Sequence, residues 1–343
     1  MTAPIRTPFT PPEAGGAVEI AEGVLWARMP MPKPLGHVNI YAFDDGPGWT
    51  IVDTGLDTPQ TRAAWGSLLS GPLNGRPVQR VIATHHHLDH IGLAGWFMAD
   101  HGAELVTTRT AYLMARMLRL DVQEAPTPEM LQFWRSCGMA ADVYEKRAQE
   151  RPFNTADAVA PIPLGYTRVQ AGDTICFGGR NWDVRCGDGH APEHATFWSQ
   201  DDALVIGGDQ LLGAISPNLG VSATEPMADP VGEWLRSCEA FVPHARDDQL
   251  VLTGHKLPYH GLPARLRQLI DSHKRGLKRL TEALQTPRTA CDCFDVLFRR
   301  RIGTGEYGLA MVEAMAHCRH LEALGLVTGH ERDDGAILWQ TKD

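Results

Sequence analysis

Residues 85–90 read His-His-His-Leu-Asp-His, and this short run restricts the fold more than any other feature of the chain. The apolar segment before it, 78–84, predicts a strand, and 91–100 predicts a helix, so four nitrogen and oxygen donors stand at a strand-to-helix junction. Side chains two residues apart at an extended strand end point to the same side. His85 and His87 can therefore reach one metal ion together, while Asp89 and His90, where the chain curls into the helix, turn toward a neighbouring one. His86 falls out of phase and reads as structural. Imidazole mixed with carboxylate suits zinc, which accepts both at about 2.0–2.2 Å.

The surrounding pattern is layered. Residues 17–28 and 38–44 read as strands, Asp45-Gly46 as a hairpin turn, and 48–55 as an apolar strand that ends on Asp53. A helix over 58–69 precedes the 78–84 strand, so β and α segments alternate as in a fold of sheets covered by helices. Between about 108 and 150 the chain turns helical and rich in Met, Leu and Arg, an insertion that either packs on the core or walls a substrate. Short strands return at 167–169, 174–177, 182–185, 195–199 and 204–206. From Leu262 the order is a long amphipathic helix (263–284), a short helix (291–299), a helix (306–324) and a hairpin (326–340), which is winged-helix-like.

Composition narrows the classes. With 343 residues there is room for one large domain and a small one around a real core, which excludes disordered and disulfide-stapled chains. The seven cysteines are scattered and read as reduced. The longest apolar stretch, 91–99, falls far short of the roughly 20 residues of a spanning helix. Residues 1–16 lack a cationic stretch followed by an apolar one, so the expected address is cytoplasmic, with no membrane partner. The net charge of −9 divides unevenly, with 13 Lys and Arg against 11 Asp and Glu over 262–343. Neither figure suits a dedicated nucleic-acid binder.

Further motifs follow in order: Asp53 in Ile51-Val52-Asp53-Thr54-Gly55, His190 in Gly187-Asp188-Gly189-His190-Ala191-Pro192-Glu193-His194, Asp209 in Gly207-Gly208-Asp209, and His255 in Leu252-Thr253-Gly254-His255. With the 85–90 run they make residues 17–261 resemble the metallo-β-lactamase fold superfamily. The resemblance implies an α+β fold: an αββα sandwich with a metal site on one edge, the 108–150 insertion, and the winged-helix-like domain at 262–343. It implies two zinc ions, with iron or manganese as alternatives. His85, His87 and His190 would hold one, Asp89, His90 and His255 the other, and Asp209 would bridge them. Asp53 and His194 would orient these side chains from behind. Tyr259 and His260, near the last motif, are candidates for touching substrate.

The implied chemistry is hydrolysis. Two zinc ions sharing a water lower its pKa from 15.7 toward about 7, and the bridging hydroxide attacks a carbonyl or phosphorus. Asp89 and Asp209 would relay the proton to the leaving group. Zinc β-lactamases carry cysteine where this chain has Asp209, flavin-linked diiron relatives carry glutamate where it has His87, and His255 argues against mononuclear persulfide dioxygenases. The expectation is a hydrolase of a small carboxylic thioester, ester or lactone, resembling glyoxalase II-like members. The alternative, resembling lactamase-β-like protein 2-like members, is a metal-dependent phosphodiesterase cutting single-stranded RNA, with Arg299, Arg300 and Arg301 on its backbone. Packing or homodimer formation is the expected role of the tail.

Overall fold

The computed structural model describes residues 4–32 and 35–342; Asp343, the end of the expected tail domain, and the first three residues of the 1–16 segment lie outside them. The alternating apolar segments build two sheets. In the first, β1 (Ala17–Ala21), β2 (Val24–Pro30), β3 (His37–Asp44) and β4 (Trp49–Val52) run antiparallel. Helix α1 (Pro59–Ser70) then returns the chain to β5 (Val78–Ile82), which lies parallel to β4. After α2 (Leu88–Ile91) and α3 (Ala94–His101), the parallel run continues through β6 (Glu104–Thr107) to β7 (Thr167–Arg168), with α4 (Arg109–Leu120), α5 (Pro128–Ser136) and α6 (Ala141–Ala148) between those two strands.

The second sheet holds β8 (Thr174–Phe177), β9 (Arg180–Gly187), β10 (His194–Ser199), β11 (Leu204–Gly208), β12 (Leu250–Thr253) and β13 (Tyr259–His260). Here β11 and β12 are parallel, joined through α7 (Pro230–Phe241). The chain ends with α8 (Leu262–Ala283), α9 (Phe294–Phe298), α10 (Tyr307–Ala323) and the hairpin β14 (Val327–Glu331) and β15 (Ile337–Thr341), which turns at Asp333-Asp334-Gly335 with Gly335 at φ +86.

Strand parity places the core. On β2, Val24 and Trp26 face the second sheet, where they pack with Phe43, Trp182 and Phe197, while Ala27 and Met29 face the layer of α1 and α3 with Trp65 and Phe97. Edge-on contacts of Phe43 with Phe177 at 5.2 Å and with Trp182 at 5.6 Å bind the two sheets face to face. The result is a mixed α+β sandwich.

Two compact units result. One takes the residues up to Val122, Asn154–Pro217 and Val242–Leu266; the other takes Gln123–Phe153, Asn218–Phe241 and everything from Arg267. The helical insertion is thus divided, α4 belonging to the first unit and α5 and α6 to the second.

Some elements differ from expectation. The helix foreseen over 91–100 is broken at Gly92, where a Cβ would come within 2.5 Å of the Gly55 carbonyl, and the Thr54 hydroxyl takes the Leu93 N–H at 3.0 Å. The segment 17–28 is a hairpin, reversed at Gly23 with φ +69. Helix α7 was not foreseen; Pro230 stands at its start, where proline is tolerated, and Asp229 caps it by accepting the Gly232 N–H at 2.9 Å. Among the described residues no helix is long and apolar enough to cross a membrane.

Candidate metal centre

Carboxyl ends of parallel strands are where open sheets gather functional groups. Asp53 follows β4, the 85–90 run follows β5, Asp209 follows β11 and His255 follows β12, while His190 sits on the loop from β9 to β10. All belong to the first compact unit.

The donors fall into overlapping groups whose ligand atoms lie within 4.8 Å of one another: His85, His87 and His190; Asp89, His90 and His255; and His85, His90 and Asp209. His87 Nδ1 stands 3.0 Å from both His85 Nε2 and His190 Nε2. His255 Nε2 is 3.2 Å from Asp89 Oδ2 and 3.2 Å from Asp209 Oδ2. The same Asp209 oxygen is 3.5 Å from His90 Nε2 and 3.4 Å from His190 Nε2, so this carboxylate reaches both sides of the cluster.

Acceptors behind the rings determine which nitrogen faces inward. Asp53 Oδ2 takes His90 Nδ1 at 2.7 Å, and the His37 carbonyl takes His255 Nδ1 at 2.9 Å. Thr84 donates its hydroxyl and its N–H to Asp53, and its oxygen lies 3.0 Å from His85 Nδ1. With the hydroxyl proton directed to Asp53, that oxygen accepts from His85. His85, His90 and His255 thus each present a bare or displaceable Nε2 to the centre. Asp53 does this from φ +60, a left-handed turn at the strand end that aspartate tolerates and that swings its carboxylate back onto Thr84.

His194 is fully buried, stacks on His85 at 4.5 Å, and accepts the Asp209 backbone N–H on Nε2 at 3.1 Å. Its ring fits because Gly208 has no Cβ, which would lie 2.6 Å away. Gly254 is a second such clearance, since a Cβ there would fall 2.2 Å from Asp209 Oδ1.

The electrostatics divide the histidines. Burial, reinforced by neighbouring imidazoles, holds His85 and His87 well below the usual histidine range, so both are neutral donors. The same causes, burial first, put His194 at about 3. Burial opposes charge on His90 and His255 too, but Asp209 and Asp89 outweigh it, raising His90 well above its usual value and His255 to about 10. Asp209 resists its own burial because His255 and His90 hold it well below the carboxylate range.

This donor set fits divalent metal. Three imidazole nitrogens converge at 3.0 Å, and His90 Nε2 and Asp209 Oδ1 are buried with no hydrogen-bond partner. Such crowding of lone pairs is costly without a shared cation.

Not every expected residue joins the cluster. Tyr259 is fully buried, its hydroxyl donates to the Leu211 carbonyl at 3.2 Å, and its ring fills the space over Gly213. It belongs to the core rather than to a substrate wall, because β13 pairs at the sheet edge and turns this side chain inward. His260 is partly exposed and engages the carbonyls of Asp248 and Gln249. His86 is buried with Nδ1 unpartnered, its ring centre 4.7 Å from that of His87, and it joins none of the donor groups. Sequence reasoning missed Thr84, which directly precedes the histidine run, and His37, whose carbonyl orients a ring 218 residues away. Adjacency could have signalled the first; nothing local signals the second.

Comparison with known proteins agrees with this geometry. The family model for the metallo-beta-lactamase superfamily matches residues 34–271, and that for a metallo-beta-lactamase-like C-terminal domain matches 277–342. A curated relative, the probable metallo-hydrolase YqjP of Bacillus subtilis (strain 168), is 25% identical over 314 residues, covering 90% of this chain and 95% of that protein. The crystal structure of a beta-lactamase domain protein from Burkholderia ambifaria is 31% identical with a TM-score of 0.90, covering 98% of each chain. A metallo-beta-lactamase family protein from Thermus thermophilus is 25% identical with a TM-score of 0.78, covering 94% of this chain and all of that one.

Proposed function

The chain belongs to the metallo-beta-lactamase superfamily and is a metal-dependent hydrolase, and we propose that it uses two zinc ions to hydrolyse a small carboxylic thioester, ester or lactone. The observation that carries this reading is the position of Asp209 Oδ2, within 3.2–3.5 Å of His190 on one side and of His90 and His255 on the other. A bridging carboxylate needs that reach. His85, His87 and His190 would hold one ion, and Asp89, His90 and His255 the other.

Bound there, zinc would supply a Lewis acid for the acyl oxygen and a water acidic enough to react at neutral pH. The chain's own groups do the rest. Asp53, Thr84 and the His37 carbonyl keep the rings aimed. Asp89, nearly buried and 3.2 Å from His255 Nε2, would carry a proton toward a leaving group. Water addition at the acyl carbon breaks the C–S or C–O bond, and the departing thiolate or alkoxide takes that proton.

Support for an acyl rather than an RNA substrate comes from charge. Of the three consecutive arginines, Arg300 is engaged by Glu306 through two contacts of 2.7 Å, and the chain as a whole carries −9. The test is a hydrolysis panel on zinc-loaded, metal-analysed protein: acyl-glutathione, acyl-CoA and lactone substrates beside a single-stranded RNA oligonucleotide. Turnover of an acyl member is the expected result. Cleavage of RNA alone would replace this reading with the phosphodiesterase.

A further inference from the structure

His190 has to join a donor group built by the other sheet. His85 and His87 follow β5 of the first sheet, whereas His190 stands in the six-residue loop between Gly187 and His194, which face each other across the ladder of β9 and β10 in the second. Strand pairing ends below this loop and does not fix the residues inside it. Yet the His190 imidazole stands 3.0 Å from His87 Nδ1. A ligand carried on a loop keeps such a position only when the loop itself is held.

Three contacts hold it. Within the loop, Asp188 Oδ1 accepts the Glu193 N–H at 2.8 Å. On the side of the second sheet, Gln210, next to Asp209, donates Nε2 to the Asp188 carbonyl at 3.3 Å and passes Gly187, where a Cβ would lie 2.5 Å from that nitrogen. On the side of the first sheet, Glu193 Oε2 accepts the Thr110 N–H at 2.9 Å and the Thr110 hydroxyl as well. Of the three, the Glu193 carboxylate is the tie that crosses between the sheets.

Thr110 is a firm anchor. It is the second residue of α4, and its N–H is one of those that a helix start leaves without an intrahelical partner. Thr108 takes the Ala111 N–H, and the Glu193 carboxylate takes this one, at the end of the helix that favours an anion. The strand before α4 is fixed beside the histidine run: the Ala83 N–H donates to the Val106 carbonyl at 3.0 Å, and the Thr107 hydroxyl donates to the Ala83 carbonyl at 2.8 Å. Glu193 itself sits at φ +50, a left-handed conformation uncommon for glutamate. Such strain persists where surrounding contacts over-determine a residue, and here its N–H is held by Asp188 and its carboxylate by Thr110.

We propose that Glu193 is the positioning residue of the His85, His87 and His190 group: bound to Thr110, it ties the His190 loop to the first sheet and sets that imidazole against His85 and His87. The inference rests on the metal assignment above and adds the side chain that assembles one half of it. Helix α4, which the sequence leaves between core packing and a substrate wall, is then an anchor of the metal centre.

Cobalt titration of the metal-free full chain, followed by visible absorption, tests this without a substrate. The wild type should take up two ions. In E193A one of them should bind about 10–100-fold more weakly, the usual effect of losing a group that orients a ligand, while the other keeps its affinity. E193Q, whose amide oxygen can accept both Thr110 donors, should recover most of the loss, and T110V, which retains the N–H alone, should show part of it. The decisive comparison is in an H190A background, where adding E193A should leave the remaining affinity unchanged, because the ring it positions is gone. Melts of metal-free protein establish that each variant is folded; if E193A is not, T110V with and without H190A decides.

Unchanged cobalt affinity in E193A, equal weakening of both ions, or the same loss with and without His190 overturns the inference and leaves the metal assignment standing. A wild type that binds fewer than two ions overturns the two-metal assignment on which the inference rests. Selective loss of one ion in a protein that hydrolyses no acyl substrate supports the inference and overturns only the proposed reaction.

Discussion

Asp53 Oδ2 and His90 Nδ1 meet at 2.7 Å with both side chains buried, and this one contact joins the first strand-end motif to the histidine run. The carboxylate also receives the N–H and hydroxyl of Thr84, so a single aspartate orients His90 directly and His85 through Thr84.

Replacing Asp53 with Ala should weaken metal binding by about 10–100-fold, the usual effect of losing a group that orients a ligand. Competition with a chromogenic chelator measures it. An unchanged affinity would mean that packing alone orients His90.

Asp209→Ala should lower metal content toward one ion or none and reduce hydrolysis by about 10²–10³-fold or more. Elemental analysis beside a rate assay checks both. A variant that keeps two ions and full activity removes the bridging assignment.

Gly254→Ala places a methyl group 2.2 Å from Asp209 Oδ1 and 2.7 Å from His90 Cε1. Such overpacking costs about 1–3 kcal/mol and should displace the carboxylate, so the melting temperature and metal content fall together. Full metal loading would show that the loop relaxes without moving Asp209.

Metal uptake should release protons. With His255 raised to about 10 and His90 well above its usual value, both rings are charged in the metal-free protein at pH 7, and a metal must displace those protons. Affinity should therefore drop as pH falls, by about tenfold per unit for each proton displaced. Zinc titration in two buffers of different ionisation enthalpy counts the protons, and a count of zero contradicts the assignment.

In the second compact unit, burial raises the Glu313 carboxyl from 4.5 to about 7, against the pull of its hydrogen bond from Asn218 Nδ2 at 2.7 Å. The unfolded chain releases this proton from about pH 4.5 and the folded chain only near 7, so between these values the folded state binds more protons. Stability from this group is present below pH 4.5 and is lost as pH rises through 7. Glu313→Gln should remove the slope and gain about 1–2 kcal/mol at pH 8. Denaturant melts at pH 5 and pH 8 give the difference, and parallel curves for the two proteins would refute it.

How much was legible beforehand depended on the range of the interaction. The run His85 to His90 announced its strand-to-helix junction because period-two geometry and donor chemistry are local. Helix α7 had no assignment, although Asp229 before Pro230 is a local start signal and the Asp229 carboxylate does cap it. Tyr259 was misplaced because closeness to His255 in the chain says nothing about which way an edge strand turns its ring.

The sequence by itself determined the donor inventory, the strand ends that carry it and the order of the elements, since propensity, patterning and ligand chemistry act over a few residues. Only the tertiary structure decided that Asp209 reaches both sides of the cluster and that a carbonyl 218 residues away orients His255. Those are distances between residues remote in the chain, and they arise when two sheets close on a shared core and exclude the water that would otherwise separate the groups.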